Sequence, residues 1–193
     1  MSKDPNFIVD LLEGVKSNQI SIDEAKAQLT HYDELGFAKI DLHRAKRQGF
    51  PEVIFGEGKT KEQINQIIES LTHHDNVILV TRIDETKAKF VLEHHPYLQY
   101  HSVANIVSTP IEEIKKSQNY ISILCAGTSD LAVAEEAALT AEVMGIQVKR
   151  FYDVGVSGIH RLFNHIHVIR QGKVSVVIAG MEGADRKSTR LNS

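Results

Sequence analysis

The segment AGTSD, residues 126–130, sets two hydroxyls and a carboxylate, those of Thr128, Ser129 and Asp130, behind Gly127 and ahead of a helical run. Backbone amides at a helix start attract a phosphate, and a glycine lets a ligand come close to the chain. The same residues also read as a plain helix cap supplied by Ser129 or Asp130. DVGVSGIHR, residues 153–161, brings Asp153, His160 and Arg161. Arginine can fork onto a phosphate or carboxylate and histidine can move a proton near neutral pH, while a surface helix start explains the segment without a ligand. AGMEG, residues 179–183, holds Glu182 between two glycines that allow close approach of the backbone.

Other segments invite chemistry less strongly. GEGKT, residues 56–60, suggests a nucleotide P-loop, but that motif needs a glycine where Val53 stands. Thr60 and Gln63 instead form a capping box for the next helix, leaving Lys59 as a cation that can still meet an anion. IDLHRAKRQGFPEVIF gathers Asp41, His43, Arg44 and Arg47, readable either as solvated surface or as an anion contact. The pairs His73–His74 and His94–His95 do not make a metal site, because adjacent side chains on a helix or strand point apart. Cys125, the single cysteine, sits in the apolar run YISILCAG and reads as core.

The elements that carry these groups follow from apolar spacing. Phe7, Ile8, Leu11, Leu12 and Val15 form one helical face, and Ser21 with Glu24 opens a second helix, so residues 1–35 predict a helical hairpin. Between 36 and 110, strands (FAKIDL, EVIF, NVILVTRI, YHSVANIV) alternate with helices, one carrying Ile64, Ile67, Ile68 and Leu71 and one spanning 84–93. STPIEEIKKSQN breaks the periodicity, which places a boundary near 107–118. A second domain over 119–184 follows as strand YISILCA, helix LAVAEEAALTAEVM ended by Gly145, strand QVKRFYDV, a short helix and strand VSVVIAG. Such crossovers imply a parallel sheet in an α/β fold. The three ligand-capable loops then meet at the carboxyl edge of that sheet, where open α/β sheets bind ligands.

Composition narrows the classes. The 193 residues are 42% hydrophobic and 24% charged with only 4 prolines, as in an ordinary globular protein of one or two domains. A net charge of −3 with scattered basic residues disfavours nucleic acid as a partner. No apolar run reaches the ~20 residues of a membrane span and MSKDPNF lacks a signal-peptide core, so a cytoplasmic location is expected. One cysteine excludes an intrachain disulfide framework.

AGTSDLAVAEEAALTAEVMG, YDVGVSGIHR and AGMEGA, in that order, resemble the catalytic domain of the PurE-type aminoimidazole ribonucleotide carboxylases. GFAKIDLHRAKRQGFPEVIFGEGKT is more specifically similar to the LarB family, carboxylase-hydrolases that start nickel-pincer cofactor synthesis, and the resemblance spans residues 1–184. It implies a small N-terminal α/β domain and a three-layer, flavodoxin- or Rossmann-like parallel-sheet domain. It further implies carboxylation of nicotinic acid adenine dinucleotide at C5 of its pyridinium ring and hydrolysis of the phosphoanhydride. The products would be pyridinium-3,5-biscarboxylic acid mononucleotide and AMP, with CO2 or bicarbonate as co-substrate and no tightly bound cofactor. A metal requirement is left open, and a homo-octamer is implied for the intact family.

By the same resemblance Gly127, Thr128, Ser129 and Asp130 hold phosphate or ribose, and Asp153, His160 and Arg161 line the site with Lys59 as a further binding group. Glu182 and Asp41 are the candidate carboxylate bases. The family's nucleophilic cysteine falls beyond the equivalent of Ala184, and its role does not transfer to Cys125. DRKSTRLNS, residues 185–193, resembles translated sequencing adapter, so the second domain is expected to be incomplete. Two other readings compete: an aminoimidazole ribonucleotide carboxylase of purine synthesis, and a dinucleotide-binding module without catalysis.

Overall fold

A computed structural model describes residues 5–29, 32–42, 44, 49–72 and 77–180. The chain divides into two compact units, one drawn from the spans 1–52 and 66–76, the other from 53–65 and 77–193.

In the first unit, α1 (Pro5–Lys16) and α2 (Ile22–Leu29) precede an antiparallel pair, β1 (Tyr32–Glu34) and β2 (Lys39–Asp41). The Ser21–Glu24 capping box forms in both directions: Glu24 Oε2 accepts from the Ser21 amide at 2.8 Å and Ser21 Oγ from the Glu24 amide at 3.1 Å. Strand β1 was not expected from the sequence. Its residues, Tyr-Asp-Glu, have no apolar alternation, and the Leu35–Ala38 turn with Gly36 at φ +79° creates the pairing.

The second unit holds two sheets. β3 (Ile54–Phe55), β4 (Leu79–Thr81), β5 (Gln99–His101) and β6 (Ile106–Ser108) make a mixed sheet of order β3-β4-β6-β5, parallel between β3 and β4 and antiparallel elsewhere. YHSVANIV, expected as one strand, is a hairpin whose turn contains Asn105 at φ +52°. Helices α3 (Lys61–Thr72) and α4 (Glu85–His94) accompany this sheet in sequence. Ile64, Ile67, Ile68 and Leu71 are buried as their spacing predicts.

β7 (Tyr120–Cys125), β8 (Gln147–Phe151) and β9 (Ser175–Ile178) make a parallel sheet of order β8-β7-β9. On one face Ile123 and Cys125 of β7 meet Ala134 and Ala138 of α5 (Leu131–Val143). On the other, Leu124 packs with Leu162 of α6 (Ile159–Phe163) and Ile169 of α7 (Ile166–Gln171). Period-two alternation along β7 thus feeds two helical layers, giving the expected three-layer, flavodoxin- or Rossmann-like arrangement, open rather than closed into a barrel.

Helix α5 is packed on two sides, with Glu135 and Glu142 on a further polar face. Leu139 and Val143 join Leu79, Ala104 and Ile106 of the second unit, while Ala134, Ala137 and Ala138 face the parallel sheet. The two sheets flanking residues 107–118 therefore share this helix inside one compact unit. No helix among the described residues is long and apolar enough to cross a membrane.

Candidate functional site

The strands β7 and β8 end in two of the loops singled out by sequence, and main-chain bonds tie those loops to each other and to the end of β9. The Ala126 amide donates to Ile178 O at 3.0 Å, Val154 to Cys125 O at 3.1 Å and Gly155 to Ala126 O at 3.0 Å. The segments after β7 and β8 are thereby held side by side, against the end of β9.

Thr128–Asp130 form a single 3-10 turn that runs directly into α5. Thr128 and Ser129 are exposed and Asp130 is half-buried. No side-chain cap bond forms where Gly127 opens the turn or where Asp130 opens the helix, so capping does not account for Asp130. A Cβ on Gly127 would lie 3.9 Å from Asp130 Oδ2, and one on Gly180 would lie 4.0 Å from Asp130 Oδ1. The two glycines thus flank this carboxylate and keep its rim low.

The loop after β8 is more constrained. Asp153 has φ +55°, a left-handed conformation uncommon for a non-glycine residue. Its Oδ2 accepts from Arg161 Nη1 in an ion pair, and the guanidinium lies over Gly158, where a Cβ would come within 2.5 Å of Nε. Gly155 is pressed against backbone rather than a movable side chain, since a Cβ there would stand 2.7 Å from Ala126 O. His160 is exposed at the start of α6. Gly127, Thr128, Ser129, Asp130, Asp153, His160 and Arg161 therefore all belong to loops or a helix start at one sheet edge. Glu182, His43, Arg47, His73, His74 and the tail 185–193 lie outside the described residues.

Cys125 is buried, and its Sγ donates to Gly127 O at 3.0 Å. Burial pushes the thiol pKa up, and the Asp130 and Asp153 carboxylates add to the shift. That is the reverse of an activated nucleophile. Lys59 turns back on its own loop and donates to Phe55 O at 2.8 Å, while Thr60 and Gln63 complete the capping box at 3.2 and 3.0 Å. Arg44 pairs with Glu52 at 3.1 Å and lies 5.4 Å from the Phe50 ring centre. Asp41 ends β2 in the first unit. His94 and His95 take different partners, Phe90 O and Asn65 Oδ1.

A polar network beside the site went unread. Arg150 of β8 grips Glu142 with two bonds, 2.9 and 2.7 Å, and reaches Glu135 at 3.4 Å; the Tyr152 hydroxyl donates to the other Glu135 oxygen. Burial first, then Glu135, pushes the Tyr152 phenol pKa up. The available signal was the seven-residue spacing of Glu135 and Glu142, which puts both on one face of α5.

Three parallel strands between two helical layers, with a 3-10 turn at the start of α5 and an aspartate-arginine pair after β8, define an α/β protein with a PurE-type fold. A family profile described as the LarB/PurE-like N-terminal domain matches residues 32–111. An uncharacterized protein of Methanocaldococcus jannaschii is 36% identical over 187 residues, an alignment covering 91% of this chain and 73% of that protein. The chain belongs to the LarB/PurE-like family.

Proposed function

We propose that this chain binds nicotinic acid adenine dinucleotide and serves its C5 carboxylation and phosphoanhydride hydrolysis. The supporting observation is the stitched sheet edge, where a turn at the start of α5 and the Asp153–Arg161 pair stand beside the low, glycine-flanked Asp130. On this reading the Thr128–Asp130 turn receives a phosphate, Asp130 accepts from ribose hydroxyls, and Arg161 and His160 face the anionic groups.

The chemistry needs a nucleophile that adds to the pyridinium ring and turns C5 into an enamine carbon. That carbon attacks CO2, a carboxylate takes the C5 proton, and expulsion of the nucleophile restores the aromatic cation. Water then opens the phosphoanhydride to release AMP. Glu182 is the proposed base at the ring, with Asp41 and Lys59 as further family-derived contributors. Cys125, buried with a raised pKa, is not assigned as the nucleophile. No tightly bound cofactor is invoked.

Calorimetric titration of the 193-residue protein decides between substrates. The dinucleotide is expected to bind and aminoimidazole ribonucleotide to bind at least tenfold more weakly. The opposite order overturns this reading in favour of a purine-pathway carboxylase.

A further inference from the structure

A cleft of about 600 Å³ opens beside the candidate site, a volume in the range of small-molecule pockets. Tyr100, His101 and Val103 line it from the β5–β6 hairpin, Leu131 and Glu135 from α5, and Tyr152 from the end of β8. Two of these residues adjoin the site in sequence: Leu131 follows Asp130 and Tyr152 precedes Asp153. Consecutive Cα atoms are 3.80 Å apart, so the cleft wall and the site share both chain segments.

The charges of the cleft select its ligand. Arg150 is its single lining cation, and that guanidinium is already committed to Glu142 and Glu135. A phosphate or carboxylate entering here would meet the Glu135 carboxylate without a spare cation to offset it. Burial lowers the pKa of His101, which favours its uncharged form at neutral pH. What remains is two phenol rings, an imidazole, the apolar Val103, Leu131 and Leu139, and the Glu135 carboxylate, whose oxygens each accept one bond from Tyr152 or Arg150 and keep a second lone pair for an N–H group. Flat heteroaromatic rings stack on aromatic side chains, and an exocyclic amine suits a carboxylate acceptor.

We propose that this cleft binds the amino-bearing purine base of a nucleotide whose phosphate rests on the Gly127–Asp130 turn. The inference rests on the dinucleotide reading above and extends it: the anhydride sits over the start of α5, with the adenine entering the cleft. The two halves of the substrate would thus be recognised by opposite chemistry, a fully polar loop for one and an aromatic, nearly neutral cleft for the other.

The test uses the intact chain, saturation-transfer NMR and calorimetry with AMP, IMP and nicotinic acid mononucleotide. Val103 is 52% exposed, so Val103→Trp can fill the cleft mouth without entering the core. The expected result is a tenfold or greater loss of AMP affinity in Val103→Trp, with the affinity for nicotinic acid mononucleotide changed less than twofold. AMP should also bind more tightly than IMP, which lacks the exocyclic amine, and Glu135→Gln should erase that preference. Unchanged AMP affinity in Val103→Trp, or no AMP binding alongside good binding of nicotinic acid mononucleotide, overturns the cleft assignment while leaving the phosphate turn intact. Failure of both mononucleotides to bind overturns the phosphate turn and the cleft together.

Discussion

Replacing Gly155 by alanine isolates the contact between the loops after β7 and β8. Gly155 has φ −63° and ψ 158°, values open to any residue, so alanine there is not strained by conformation. Space is the obstacle: its Cβ would stand 2.7 Å from Ala126 O and 3.3 Å from Ala126 C, both backbone atoms. Carbon-oxygen contacts settle at about 3.3 Å or more, so the loops after β7 and β8 must part by roughly 0.6 Å. The Gly155–Ala126 hydrogen bond, 3.0 Å in the folded protein, lengthens with them. Overpacking of this kind costs about 1 to 3 kcal/mol. For a chain of this size that lowers Tm by about 2 to 12 °C.

Affinity for a phosphate-bearing nucleotide should fall in parallel, because the same displacement moves Asp153 and Arg161 away from the Gly127–Asp130 turn. Gly158→Ala is the control, since its Cβ meets only the movable end of Arg161 at 2.5 to 2.8 Å. It should weaken nucleotide binding with a smaller loss of Tm. Calorimetric melting and nucleotide titration of both variants check this. A Gly155→Ala protein that melts and binds like the parent would refute the argument that the loops touch there.

Three further outcomes are expected. Glu142→Ala leaves Arg150, whose side chain is 29% exposed, with only the 3.4 Å contact to Glu135, and should cost about 2 to 4 kcal/mol in urea unfolding, slightly discounted for that exposure. Burial holds the His101 pKa below its ordinary 6.5, so as pH falls the unfolded chain takes up the proton first. The stability contribution is complete above pH 6.5 and declines below it as pH falls toward the folded-state pKa, a slope that His101→Asn should remove from urea titrations across pH 5 to 7.5. Cys125 should resist a disulfide reagent at pH 8 until urea unfolds the protein; rapid labelling of the native chain would contradict its burial and raised pKa.

Much of this fold was legible because its signals are local. Both capping boxes formed where a hydroxyl stands three residues before Glu24 or Gln63, since those bonds need no tertiary partner. The parallel sheet followed from strand-helix alternation, and the loop cluster from that sheet's one-directional strand ends. Features that depend on distant contacts stayed hidden. The β5–β6 hairpin is invisible in YHSVANIV because nothing but a left-handed Asn105 marks its turn. Lys59 read as a spare cation because sequence cannot show it folding back on Phe55 O. Arg150 gave no sign of its two glutamate partners, which approach only when α5 packs over β8.

The same packing explains how the Thr128–Asp130 turn is held in place without a cap. Asp130 makes no capping bond, so the start of α5 is fixed from further along the helix. Ala134 and Ala138, both fully buried, let the helix lie close to Ile123 and Cys125, while Leu139 and Val143 reach the opposite sheet. A helix gripped on two faces cannot rock about its own axis without disturbing one core or the other. Its first turn therefore keeps its place while Thr128, Ser129 and Asp130 remain uncommitted to the helix they open. A single sheet beneath the helix would fix the height of that turn, whereas two sheets fix its rotation as well. Rotation is what sets Leu131 toward the cleft and Asp130 toward Gly180. The mixed sheet thus bears on the candidate site through α5.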